Sequence, residues 1–175
     1  MRDDGRLCMI RRLRDDDAEA YTDLRREMLL DSPLAFASSP SDDLFSSIQA
    51  TRERLQAVPE SVIFGVFDQR LVGAAGLYRD RHVKSSHKVH LWGMYVVPDH
   101  RRKGIAARLL EEVLGYARRL SDVSCVQLSV SSAAPAAQRL YEQAGFRVWG
   151  TEPEALRHGG ETAVEHHMIL RLRDD

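Results

Sequence analysis

Val96-Val97-Pro98-Asp99-His100-Arg101-Arg102-Lys103-Gly104-Ile105-Ala106 decides the fold. An apolar run from Leu91 to Val97 stops at Pro98. Three basic residues and a glycine follow, and a helical pattern begins at once. A strand that passes through a basic, glycine-containing turn into a helix predicts an anion cradle. The first amides of a helix have no internal partner, and the helix dipole favours negative charge there. Gly104 lets the backbone approach a ligand closely, Ala106 adds little bulk, and Arg101, Arg102 and Lys103 bring positive charge.

Downstream, Ile105, Leu109, Val113, Ala117 and Leu120 mark one face of the helix that the turn opens. Cys125 to Val130 then reads as a strand and Ala136 to Ala144 as a helix. Pro135 suits a first helical position and Gly145 the position just past a helix end. Ala137, Leu140, Tyr141 and Ala144 recur at helical spacing on one face.

These two blocks carry a family resemblance. Arg101-x-x-Gly104-x-Ala106 resembles the Q/R-x-x-G-x-G/A signature of the GNAT N-acetyltransferases. Ala137-x-x-Leu140-Tyr141-x-x-x-Gly145-Phe146 resembles that family's later strand–helix ending, in the family's order. The resemblance covers most of the chain and is weakest over residues 1 to 60. It implies a mixed α/β (α+β) fold: a central, mostly antiparallel sheet with splayed middle strands and helices on both faces. It also implies acetyl-coenzyme A as co-substrate, with Arg101, Arg102, Lys103, Gly104, Ile105 and Ala106 around its pyrophosphate.

The remaining chain agrees. Cys8 to Leu13 reads as a strand. Asp15-Asp16-Asp17 can start a helix to about Leu30, with Tyr21, Leu24 and Met28 buried. A loop with Pro33 and Pro40 follows. Ser41 is expected to cap a second helix with Leu44, Ile48, Thr51 and Leu55 on one face, ended by Pro59. Ser61 to Phe67 and Leu71 to Tyr78 form a hairpin, and His87 to Val97 a long strand. Phe146 to about Leu156 and Glu161 to Leu172 are strands joined by His158-Gly159-Gly160. Residues 1–175 are expected to form a single acetyltransferase domain.

Composition narrows the partners. Of the 175 residues, 43% are hydrophobic and 29% charged, with a formal net charge of −1. Such a balance predicts no nucleic-acid footprint. No apolar run is long enough for a membrane span and no signal-peptide pattern stands at the N-terminus, so a cytoplasmic location is expected. Cys8 and Cys125 are expected to be free thiols. His87-x-x-His90 and His166-His167 would point to opposite faces of a strand, so no metal is expected.

The resemblance also assigns chemistry. It implies that pantetheine pairs with the free backbone edge at Met94, Tyr95 and Val96, with the Met94 amide facing the thioester carbonyl. It places Tyr141 near the sulfur as proton donor. Many relatives carry a glutamate four residues before the position of Met94, and this chain has His90 there. Strand parity would put His90, Trp92, Met94 and Val96 on one face, and imidazole suits a base near neutral pH. Glu161, Glu165, His167, Tyr78 or an ordered water are alternatives. Where relatives often have asparagine before the second helix, this chain has Ala134, and Ser131 or Ser132 is expected to supply the cap. The acceptor groove would involve Pro33, Leu34, Ala35, Phe36, Tyr78, His158 and the stretch from Glu161 to His167.

The expected activity is transfer of an acetyl group to a primary amine, small-molecule or peptide, by direct attack in a ternary complex. The alternative is a non-catalytic acyl-coenzyme A sensor. Trp92, Trp149 and the last strand would either contribute to a homodimer edge or pack into the core.

Overall fold

The computed structural model describes residues 8–56 and 61–173. Pro59, expected to end the second helix, lies outside them. The elements are β1 (Met9–Arg12), α1 (Ala18–Asp31), α2 (Ile48–Leu55), β2 (Ser61–Asp68), β3 (Arg70–Arg79), β4 (Lys88–Val96), α3 (Ile105–Arg119), β5 (Cys125–Ser131), α4 (Pro135–Gln143), β6 (Arg147–His158) and β7 (Glu161–Arg171). The seven strands form one sheet in the order β1-β2-β3-β4-β5-β7-β6. All neighbours are antiparallel except β4 and β5.

Register shows that the helices cover both faces. Phe64 pairs with Ala75 and meets Tyr116 of α3 edge-on. Trp92 pairs with the next β3 residue, Gly76, and stacks on Phe45, whose ring meets Tyr21 of α1. Consecutive strand residues face opposite sides, so α1 and α3 lie on opposite faces. Gly76 is required here: a Cβ would stand 2.3 Å from the Trp92 ring.

The expected stripe of α1 is buried: Tyr21, Leu24 and Met28. So is that of α3, from Ile105 through Leu109 and Val113 to Ala117. The second helix is shorter than its pattern suggests. It starts at Ile48, and Ser47 caps it by accepting from the Ala50 amide at 3.2 Å, so Ser41 is not the cap. Leu44 and Ile48 are exposed, while Thr51 and Leu55 are buried. The cause is Asp43, whose carboxylate pairs with Arg25 of α1 in the interior and accepts from the Phe45 amide. That tether holds 43–45 against α1 as a turn and seats Phe45 in the core.

A second departure lies in β4. Gly93 and Met94 together oppose Ala75, a β-bulge with Gly93 at φ +61°. Tyr95 pairs with Ala74, on the α1 face with His90 and Trp92, and Val96 pairs with Gly73 on the other. The expected alternation of His90, Trp92, Met94 and Val96 therefore breaks at the bulge.

The end of α4 follows the pattern read from Gly145. Its amide donates to the Glu142 carbonyl and the Phe146 amide to that of Tyr141, a Schellman closure with Gly145 at φ +97°. Gly145→Ala should lower unfolding stability by about 1–2 kcal/mol, read by urea titration. A Cβ there would meet Leu170 at 3.3 Å. Neither Ser131 nor Ser132 caps the start of α4. Ser131 accepts from the Ala133 amide and Ser132 from Val164 of β7, leaving Ala134 as N-cap without a side-chain bond.

Candidate active site

The parallel pair β4–β5 is in register only over Lys88–His90 against Cys125–Gln127. Beyond it the strands diverge. A groove of about 1030 Å³ opens between the end of β4, at Met94, Tyr95 and Val96, and α4 with the turn before it, at Ala134, Ala137 and Leu140.

One end of the groove is the turn before α3. No amide from Arg102 to Ala107 donates to a backbone carbonyl among the described residues; the first such bond runs from Arg108 to Gly104. Arg102 at φ +59° and Gly104 at φ +74° turn this run into a concave nest. No atom lies within 4 Å of where a Gly104 Cβ would stand. Arg102, Gly104, Ile105 and Ala106 line the groove; Lys103 is exposed and does not.

Arg101 also borders the groove, but its guanidinium folds back. Nε donates to the Val96 carbonyl at 2.9 Å and another nitrogen pairs with Asp31 at 2.5 Å. It braces the turn against β4 and the end of α1. Burial works against ionisation of Asp31, yet hydrogen bonds from Arg101 and Ser32 outweigh it and hold the carboxyl below its ordinary range. The Tyr95 phenol, beneath Arg101, is pushed up to about 12 by burial and by Asp31 and Glu27.

At the other end the groove meets a pocket of about 520 Å³ on the α1 face. Ala35 and Phe36 wall both cavities, Met94 lines the groove and Gly93 the pocket, so the bulge marks their junction. His90 stands in the pocket, its ring stacked on Tyr78 at 4.7 Å and Nε2 3.1 Å from Asp80 Oδ1. Burial opposes the Asp80 charge, but His90 and Lys88 hold its carboxyl below the ordinary value. An ionised Asp80 accepts a proton-bearing Nε2, which leaves Nδ1 with its lone pair. His167 is fixed between Ser129 and Glu152. Glu165 also lines the pocket and has no hydrogen-bond or ion-pair partner among the described residues. Burial raises its carboxyl above the usual range; His167 pulls it down and Glu152 pushes it up.

The expected residues do not all converge. Met94, Tyr95, Val96, Arg101, Arg102, Gly104, Ile105 and Ala106 line the groove and His90 the pocket. Tyr141 is buried, lines neither cavity, and sits edge-on to Phe146 while its neighbours Ala137 and Leu140 form the wall. Its hydroxyl has no hydrogen-bond partner among the described residues. His158 and Glu161 border the groove and not the pocket, as do Pro33 and Leu34. Trp92 is half-buried on the central strand β4, where it lines the pocket, and β7 is enclosed by β5 and β6, so neither forms a sheet edge; Trp149 is exposed on the edge strand β6. Asp80 and Arg25 were not evident beforehand. Asp80 is legible once Tyr78 is paired with His90, because the hairpin then carries Asp80 past the imidazole.

Among the described residues no cluster of three or more His, Cys, Asp or Glu could hold a metal ion. No described helix is long and apolar enough to cross a membrane.

A sheet split at its parallel pair, with free amides at one end of the split and a titratable pocket at the other, is an arrangement chemically suited to an anionic ligand at the amide end and proton transfer at the other. The chain belongs to the acetyltransferase (GNAT) family, whose model matches residues 18–146, and is an N-acetyltransferase by that membership. Solved structures share the fold. YncA from Salmonella typhimurium, solved with its cofactor acetyl-CoA, is 22% identical with a TM-score of 0.81, covering 96% of this chain and 95% of that one. Spermidine N-acetyltransferase from Vibrio cholerae, in complex with CoA and spermine, is 21% identical with a TM-score of 0.78, covering 94% and 95%. A GCN5-related N-acetyltransferase from Kribbella flavida is 24% identical with a TM-score of 0.79, covering 94% and 97%.

Proposed function

We propose that this chain transfers the acetyl group of acetyl-coenzyme A to a primary amine by direct attack in a ternary complex. The observation that supports the reading is the adjacency of groove and pocket at the Gly93–Met94 bulge, where they share the walls Ala35 and Phe36, with the amides of 102–107 bordering the groove. The pyrophosphate sits on those amides, beside Arg102 and Lys103, in the nest that Arg101 braces. Pantetheine runs along Met94, Tyr95 and Val96, which brings the thioester to the bulge.

The amine enters from the pocket as an ammonium ion and gives one proton to His90 Nδ1, oriented by Asp80. The neutral nitrogen attacks the carbonyl carbon and the C–N bond forms. The Met94 amide donates to the oxyanion. The intermediate collapses, the C–S bond breaks and the thiolate takes a proton from Tyr141, whose unpartnered hydroxyl has to reach past the Ala137–Leu140 wall into the groove to give it. The proton still on the attacking nitrogen replaces it. The products are an N-acetylamine, coenzyme A thiol and one proton released through His90.

Neither Cys8 nor Cys125 lines the groove or the pocket, and burial pushes the Cys125 thiol up. This supports direct attack over an acylated cysteine. Initial rates measured while acetyl-coenzyme A and amine are both varied should give intersecting double-reciprocal lines. Parallel lines, with an acetylated protein trapped when amine is withheld, would contradict the ternary complex.

A further inference from the structure

Arg25 is where the acceptor pocket holds an unmet demand. Its side chain is only 7% exposed, boxed by the rings of Phe36, Phe45 and Trp92. Asp43 takes one edge of the guanidinium, through Nε and one terminal nitrogen. The other terminal nitrogen meets only the Met28 sulfur, at 3.3 Å. It comes within 3.5 Å of where a Gly93 Cβ would stand, on the pocket side of the bulge. A desolvated guanidinium nitrogen without an oxygen acceptor is a site for one. Elsewhere in the same pocket stands Glu165, a carboxylate with no partner among the described residues. The pocket therefore offers one guanidinium nitrogen open to an oxygen acceptor, on an Arg25 already paired with Asp43, and one carboxylate without a partner among the described residues.

We propose that the acceptor is a free amino acid, bound as a zwitterion with its carboxylate on Arg25 and its ammonium drawn in by Glu165. This rests on the transfer reading above and names its substrate class. An α-carboxylate lies one carbon from the amino-bearing carbon. Seating it on Arg25 beside Gly93 sets the amine at the bulge, where the thioester carbonyl would stand. A polyamine fits less well, because it carries no acceptor oxygen for the open guanidinium nitrogen. The carboxamide of the same amino acid keeps the amine and the side chain but loses the charge that Arg25 meets.

The test compares each L-amino acid with its own carboxamide, and with diamines, in thiol release from saturating acetyl-coenzyme A. Calorimetry of the same compounds against the coenzyme A-bound protein runs beside it. Amino acids should exceed their carboxamides in kcat/KM by at least about tenfold. Arg25→Lys, which keeps charge but loses the fork, should shrink that ratio. Glu165→Gln, which removes no internal bond, should raise KM for amino acids with coenzyme A affinity intact. Carboxamides or diamines used as well as amino acids would overturn the zwitterion site and leave amine acetylation standing. If no amine releases thiol, transfer itself fails. Calorimetry then decides: amino acids bound in preference to carboxamides would uphold the site, and equal or absent binding would overturn it.

Discussion

Gly104→Glu should abolish coenzyme A binding, with affinity falling at least about a hundredfold, or about 3 kcal/mol. Two effects act together. Gly104 stands at φ +74°, where an L side chain is strained by about 1–3 kcal/mol. The new carboxylate would also occupy the nest formed by the free amides of 102–107, in the space intended for the pyrophosphate. Since no atom beyond the adjoining residues lies within 4 Å of the Cβ position, the added Cβ itself meets no steric obstacle in the unliganded protein. Gly104→Ala separates the terms, keeping the strain without the charge, and should lose much less affinity. Near-normal calorimetric affinity in Gly104→Glu would refute the assignment of the turn.

Tyr141→Phe should leave coenzyme A affinity unchanged within about twofold while kcat falls at least about tenfold. The substitution removes one oxygen that makes no internal hydrogen bond, and the ring keeps its contact with Phe146. Folding stability should therefore hold, and any loss of turnover belongs to the proton. Burial raises the Tyr141 phenol well above its ordinary value. A proton donor works in its neutral form, so a raised pKa moves the alkaline loss of activity upward. The wild-type rate should not decline through pH 10, where an ordinary tyrosine begins to ionise. Unchanged turnover in the phenylalanine variant would remove Tyr141 from the mechanism.

Much of this was legible because local chemistry and global fold agree. The turn at 98–106 needs a glycine at positive φ and a helix behind it, and both are written in consecutive residues. The Gly145-Phe146 closure is equally local. What escaped was set by partners distant in sequence. Ser41 and Ser47 are equivalent as helix caps until Arg25, on another helix, claims Asp43 and holds 43–45 as a turn. Period-two counting along β4 fails at Gly93 because a bulge costs one residue of register, which depends on the strand opposite. Asp80 reaches His90 only through a hairpin. Arg25 reads as one more polar residue of an amphipathic helix until the fold encloses it.

The departure from the family pattern at His90 also has a physical reading. A glutamate there would lie beside Asp80 and share the pocket with Glu165, adding a third carboxylate where one already lacks a partner among the described residues. Histidine instead holds Asp80 through Nε2 and keeps Nδ1 without a partner among the described residues.

The central claim is that one continuous cleft carries acetyl-coenzyme A to an amine. Its most direct measurement is thiol release from acetyl-coenzyme A on adding amines, with the acetylated product weighed by mass spectrometry and cofactor binding confirmed in the same preparation. Amine-dependent release with one acetyl group gained per thiol is the predicted result. Tight cofactor binding with no release from any amine class, including amino acids, peptides and polyamines, would contradict it and leave a protein that binds the cofactor without turning it over.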